Sequence, residues 1–484
     1  MRVIKGCHSV GIPHGRCSRS VSGEQTPIPG IPNILNSLTL GRRRCMSDRL
    51  QPVACRATIA MTSPLRPAPW SADNRFSCSG SLLPEQVPIM AEVLISPQRA
   101  RFESIDVLRG IVMVIMALDH SRDFFSNSHA YFDPIDVAQT SVAFFLTRWI
   151  TDFCAPVFAF LAGLGVYLSA ARGKPKAVVA RMLVTRGLWL VLLELTLVRV
   201  AWYYNFDFTL LKAGVIWSLG WSMVALAGII YLPTRVILIL ALSMIVGHNL
   251  LDSLRPEDFG SFAGLWTVLH GTGYVPLFGD VRLLVVYPLI PWIGIMAAGY
   301  GCGPASGWPQ GIRRRRVFLI GLGMTIAFVL IRTLNGYGDL HPWTAQPNPV
   351  FTFLSFLACA KYPPSLCYVL MTMGPAFILL AALDRPSLPG MIQPFAIFGR
   401  VPFLFYVLHL PLLHAMAIAW ATWRYGAAPW LFANPPSPPW PHDFHFDLAL
   451  TYGAWVLCVL LLYPVCRWFA RIKATRKDWW LSYL

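Results

Sequence analysis

The chain has 484 residues, 55% of them hydrophobic and only 13% charged, with 40 Lys and Arg against 23 Asp and Glu. A soluble globular protein carries about 25% charged residues, so this composition excludes an ordinary soluble enzyme and points to a membrane protein. The net charge of +17 does not signal nucleic acid, because the basic residues cluster between apolar runs and no zinc-finger, RNA-binding or helix-turn-helix pattern accompanies them.

Residues 1–97 differ from the rest. They are rich in Pro, Ser, Gly and Arg, lack an apolar run of signal-peptide length and show no helical periodicity. They are expected to be a disordered extension, or an upstream-called start with Met90 standing just before the patterned region. Residues 98–484 then form one transmembrane domain.

From residue 104 the chain predicts an all-α, polytopic membrane fold of about ten helices, each near the roughly 20 residues that a bilayer core requires. The expected spans are 104–121, 142–170, 187–203, 213–231, 236–250, 283–300, 317–334, 365–383, 401–420 and 448–466. One alternate set of loops carries Arg172, Lys174, Lys176, Arg181, Arg186, Arg235, Arg313 to Arg316, Arg385 and the basic tail from Arg467. The other set is longer but poorer in basic residues. The positive-inside rule therefore expects both termini in the cytoplasm, and the chain is expected in the cytoplasmic (inner) membrane. The long loops near 251–282, 335–364 and 421–447, with His270, His341, His442 and His445, then lie on the far side.

The first span, RFESIDVLRGIVMVIMALDHSRDFF, carries an unusual polar load. Ionisable side chains at mid-bilayer cost roughly 2.5–3.5 kcal/mol each on insertion scales, so their default reading is functional. Asp106, Arg109, Met113, Ala117 and His120 share one helical face. Asp106 and Arg109 can pair at i, i+3, either as an anchor or in binding. Asp119 and His120, capped by Arg122 and Asp123, offer a general base whose tautomer a carboxylate could fix. The bland alternative is an interfacial His at a solvated helix end. His129, in the following loop SNSHAYFDPID, is a second candidate base.

On the second span Arg148 and Asp152 stand at i, i+4, suited to an ion pair that clamps helices or holds substrate. Gly163 and Gly165 suggest close helix packing. Near the end, FGRVPFLFYVLHLPLLHAMA places Gly399 and Arg400 just before Pro402, which favours a first helical turn. That predicts a phosphate-holding helix N-terminus at Arg400, with His409 about 13 Å deeper. A buried, hydrogen-bonded His is the alternative for His409 and His414.

Eleven cysteines are present, none spaced C-x-x-C, so neither a metal site nor a redox motif is expected. Nucleotide-binding, Ser-hydrolase and zinc-protease motifs are missing. No internal repeat is visible, which weighs against a transporter.

SIDVLRGIVMVIMALDHSRDFF, DPIDVAQTS, TRWITDFCAPVFAFLAG and GRVPFLFYVLHLPLLH together resemble a bacterial membrane-protein family of unassigned activity. That family is related to heparan-α-glucosaminide N-acetyltransferase, within a wider superfamily of transmembrane acyltransferases. The resemblance spans about 101–470. It implies transfer of an acyl group from cytoplasmic acyl-CoA to a sugar-type acceptor on the far side, with no permanently bound cofactor. It maps the catalytic roles either to Asp119 with His129 or to His120 directly. On this reading Asp119 orients the base, and Arg400, His409, Arg148, Asp152, Arg122, Asp106 and Arg109 bind substrate or acyl-CoA. The expected partners are the lipid bilayer, acyl-CoA and a carbohydrate acceptor, with self-association left open. A transporter or flippase using the charges as an ion relay, and a non-catalytic membrane scaffold, are the competing readings.

Overall fold

Helix α1, Glu103–Phe125, is the hub against which much of the chain is packed. A computed structural model describes residues 102–126, 133–435, 440–441, 448–476 and 478–482, all within one unit of the chain. His129, His442 and His445 lie outside the described residues. In chain order the elements after α1 are α2 Val142–Thr151, α3 Cys154–Ala170, α4 Lys176–Leu193, α5 Arg199–Tyr203, β1 Leu210–Ala213, α6 Val215–Ile229 and α7 Thr234–Gly247. Then come α8 Ala263–Leu269, β2 Gly273–Phe278, β3 Val281–Val285, α9 Leu289–Gly301, α10 Gln310–Leu334, α11 Pro349–Leu357, α12 Leu366–Leu383, α13 Gln393–Arg400, α14 Pro402–Tyr425 and α15 Leu448–Thr475.

Helices occupy all ten predicted stretches, and among the described residues six are long and apolar enough to cross a bilayer. Those six are Val142–Ala170, Thr234–Leu251, Gln310–Leu334, Leu366–Leu383, Pro402–Tyr425 and Leu448–Thr475. Helix α1 falls outside that set because of the charges it carries into the interior.

Four departures from the sequence reading matter. The 142–170 span is interrupted at Asp152 and Phe153, where α2 hands over to α3. The 283–300 span opens as strand β3 before α9 begins, so the fold is not purely helical. β3 is central in a three-stranded sheet, parallel to β1 and antiparallel to β2. Third, a π-helical stretch, Glu194–Val198, separates α4 from α5 and buries Glu194. Such widened turns often sit at functional sites. Fourth, Gly399 and Arg400 close α13 rather than opening α14.

Without a strong hydrophobic drive between helices in lipid, close packing falls to small residues. Gly110 of α1 lies against the Phe395 carbonyl of α13, while Gly399 of α13 lies against the Asp106 carbonyl of α1. Gly163 meets the Met296 carbonyl and Gly299 the Phe160 carbonyl, pairing α3 with α9. Gly187 faces Gly220 across α4 and α6, and Gly321 faces Gly374 across α10 and α12. Gly165 has no such role, its nearest neighbour being the Arg109 guanidinium at 4.0 Å.

Candidate active site

Towards its C-terminal end α1 turns His120 inward against α14. His120 Nδ1 lies 2.7 Å from His409 Nε2, and His409 Nδ1 lies 2.9 Å from the Phe405 carbonyl. A carbonyl can only accept, so His409 Nδ1 carries the proton. In a neutral ring its Nε2 is then the acceptor. His120 must therefore donate from Nδ1, which leaves a lone pair on its Nε2. That nitrogen makes no protein hydrogen bond among the described residues, and His120 lines a cavity together with Met113, Thr151, Tyr287 and Tyr406. Trp202 meets the His120 ring edge-on at 5.1 Å, and the Lys212 ammonium sits 3.5 Å above the Trp202 ring.

Asp119 does not orient His120, as the sequence suggested. Adjacent helical positions diverge by about 100°, so its carboxylate faces elsewhere. Its Oδ1 accepts from Arg122 at 3.0 Å and from the Thr151 hydroxyl at 2.9 Å, and its Oδ2 is 3.9 Å from Lys361. Arg122 also donates to Asp123 at 2.8 Å. Arg148 and Asp152 form the expected pair at 2.5 Å, and Lys361 Nζ is 3.5 Å from the same Asp152 oxygen. The Tyr368 hydroxyl donates to the Asp152 carbonyl at 2.7 Å. Three carboxylates thus face three cations, which is how buried charge is tolerated.

Lys361, in the turn before α12, is 5% exposed and lines the same cavity as Asp119 and His120. Burial lowers the pKa of its ammonium and Arg148 adds to that, but Tyr362, Asp119 and Asp152 outweigh both and hold it above its ordinary value. Lys361 therefore stands as a fixed positive charge in the cavity that His120 also lines. In sequence it is one lysine in a long loop, and nothing local marks it. Thr151 and Tyr406, which also line the cavity, were equally silent. Their roles arise only from folding.

Asp106 and Arg109 pair at 3.6 Å at the opposite end of α1, about 16 Å or more from His120 by helical rise. Arg109 donates to the carbonyls of Gly399 and Leu161, at 3.3 and 3.5 Å. Arg400 stands at the kink between α13 and α14, with its Nε buried and unpartnered. Beside the N-terminal end of α1 lies a second cavity, bordered by Ser104, Ile105, Phe160, Arg313 and Asp384. It shares no lining residue with the first. On α1 the two cavities are set apart, the second bordered by residues up to Ile105 and the first by residues from Val112 onward. His414 has a structural place, its ring nitrogens 2.9 and 2.8 Å from the carbonyls of Ala201 and Leu431.

Residues 101–320 match the family model described as heparan-alpha-glucosaminide N-acetyltransferase, catalytic. The chain is related to that family. The matched segment contains Asp119, His120, Arg148, Thr151 and Asp152, whereas Lys361 and His409 come from beyond it. Comparison with curated proteins returns no match. The matched segment is thus similar to an acetyltransferase catalytic domain, and the apolar helices suit a multi-pass membrane protein.

Proposed function

We propose that the protein transfers an acyl group from acyl-CoA to a hydroxyl or amine of a sugar-type acceptor, with His120 as general base. The observation that carries this reading is the hydrogen-bond chain from the Phe405 carbonyl through His409 to His120, which leaves Nε2 of His120 free in a cavity that Lys361 also lines. In the step proposed, the acceptor oxygen or nitrogen attacks the thioester carbonyl as His120 Nε2 takes its proton. The carbonyl oxygen becomes an oxyanion that Lys361 stabilises. Collapse breaks the carbon–sulfur bond, and the CoA thiolate leaves with the proton held by His120. A positive charge already in place stabilises the oxyanion without reorganisation at the moment of reaction.

The donor is assigned to the cytoplasmic side and the acceptor to the far side, in the inner membrane, following the loop-charge asymmetry. The cavity near Arg313 and the N-terminal end of α1 then lies on the donor side. Arg400, Arg109 and Asp106 stand at that end as candidates for contacts to CoA.

The test is direct. Purified protein in detergent is given acetyl-CoA and amino-sugar acceptors, and free thiol and acetylated product are measured. His120→Ala should abolish both signals while the protein remains folded. Turnover that persists in a folded His120→Ala variant overturns the assignment of the base. Flux of sugar through reconstituted vesicles with no need for acyl-CoA overturns the enzyme reading in favour of a transporter.

A further inference from the structure

Away from the acyl-transfer cavity, three ligand-type side chains converge at the far end of α7. His248 opens a 3-10 turn, His248–Leu251; Asp252 follows it, and His270 closes α8. The sequence showed no metal-ligand spacing, because these positions meet only when the loop folds back. One ligand atom from each lies within 4.8 Å of the others. His248 is 2% exposed and His270 4%.

The ring of His248 is the second observation. Both its nitrogens are buried and, among the described residues, neither makes a hydrogen bond of normal geometry; the Pro364 backbone and the His270 ring, 5.6 Å away, are the polar groups that act on it. A buried donor or acceptor left unpaired costs about 1–3 kcal/mol. The other two residues are held in place. His270 donates from Nε2 to the His248 carbonyl at 2.9 Å, lies 3.5 Å from Asp252 Oδ1 and stacks on Trp266. The second Asp252 oxygen accepts from Asn249 at 2.8 Å, leaving Oδ1 towards the histidines. Outer hydrogen bonds of this kind orient metal ligands.

We propose that His248, Asp252 and His270 form a structural site for a divalent transition ion, with zinc the best chemical fit. Two imidazoles and a carboxylate suit zinc, whose ligand distances of about 2.0–2.2 Å require these atoms to close by roughly 1 Å. The ion takes the lone pair of His248, the Asp252 carboxylate, and either Nδ1 of His270 or Nε2 in exchange for its bond to the His248 carbonyl. It would also brace the catalytic turn. Asn249 accepts from the Leu366 amide at 2.9 Å, and that amide begins α12 just after Lys361 and Pro364.

The experiment uses the full chain in detergent, stripped with a chelator and then titrated with Zn²⁺ or Co²⁺. Wild type should retain about one zinc per chain by elemental analysis, melt several degrees higher with zinc, and give visible cobalt bands of a nitrogen-ligated site of low coordination number. His248→Gln with Asp252→Asn should lose all three. A wild-type protein that retains no stoichiometric zinc and gains no thermal stability overturns the site. So does a folded double variant that keeps wild-type zinc content. Should the double variant not fold, the wild-type cobalt spectrum decides, since hexa-aquo cobalt bands alone overturn the proposal.

Discussion

His120 and His409 are separated by 289 residues in the chain, and their ring nitrogens stand 2.7 Å apart. The rings lie nearly parallel, 16° from coplanar, with Phe405 stacked on the far side of His409. His409 thus occupies the place an acid holds behind a catalytic histidine elsewhere, fixing the tautomer without adding a charge.

It follows that His409 is a positioning residue whose loss should lower kcat far more than it raises KM. His409→Ala leaves the Nδ1 proton of His120 without an acceptor and frees the ring to turn or change tautomer. A fall of about 100-fold in kcat is expected, within the range general-base catalysis supplies. His409→Gln keeps an oxygen able to accept and should recover part of that loss. Steady-state kinetics on both variants check this, and equal rates for the two would remove the tautomer argument.

Lys361 invites a separate test because its charge, rather than its bulk, is the proposed agent. Lys361→Met preserves length but removes the cation from the cavity that His120 lines, and kcat should fall by about 100-fold or more, as when an oxyanion donor is removed. The pH behaviour follows from its raised pKa. A lysine whose folded-state pKa exceeds its unfolded value stabilises the fold fully below the unfolded value, about 10.4, and that contribution is lost as pH rises through the folded value. The melting-temperature gap between wild type and Lys361→Met should therefore be level from about pH 6 to 9 and narrow only at strongly alkaline pH. Thermal scans across that range decide it.

Arg148 and Asp152 carry a prediction about stability. Removing one partner of a buried pair strands the other and costs about 3–5 kcal/mol, whereas replacing both with apolar residues is often far cheaper. Arg148→Met alone should lower the melting temperature sharply, and the double change Arg148→Met with Asp152→Leu should recover much of the loss. Because Lys361 also faces Asp152, recovery should be incomplete. Adding Lys361→Met should restore more of it, which a set of melting curves would show.

The sequence made the first helical pair and its charges legible because cost in a bilayer singles them out. Asp119, His120, Arg148 and Asp152 needed no contact information, and neither did the Arg148–Asp152 pairing, which is a helical spacing. What sequence could not reveal was which partner each group chooses. Asp119 looked like the partner of His120 because it is adjacent, yet adjacency on a helix is what separates them. Lys361 gives no periodic signal, and the β1–β3 pairing depends on contacts some 70 residues apart. The setting apart of the two cavities on α1, between Ile105 and Val112, is likewise a matter of packing rather than of pattern.

The crossing of α1 with α13 sets the depth at which both histidines meet, and it is open to a graded test. Gly399 has no room for a Cβ because the Asp106 carbonyl occupies that position, and Gly110 is equally confined by Phe395. Gly399→Ala should push α13 away from α1, costing about 1–3 kcal/mol as overpacking does. It should also lower kcat, because α14 follows α13 directly and carries His409. Gly165→Ala is the control, on a neighbouring helix where the nearest atom is 4.0 Å away. There the added methyl meets only a guanidinium tip, and alanine's better helix propensity should leave the melting temperature unchanged or slightly raised. Equal effects at the two glycines would mean that the crossing does not hold the site together.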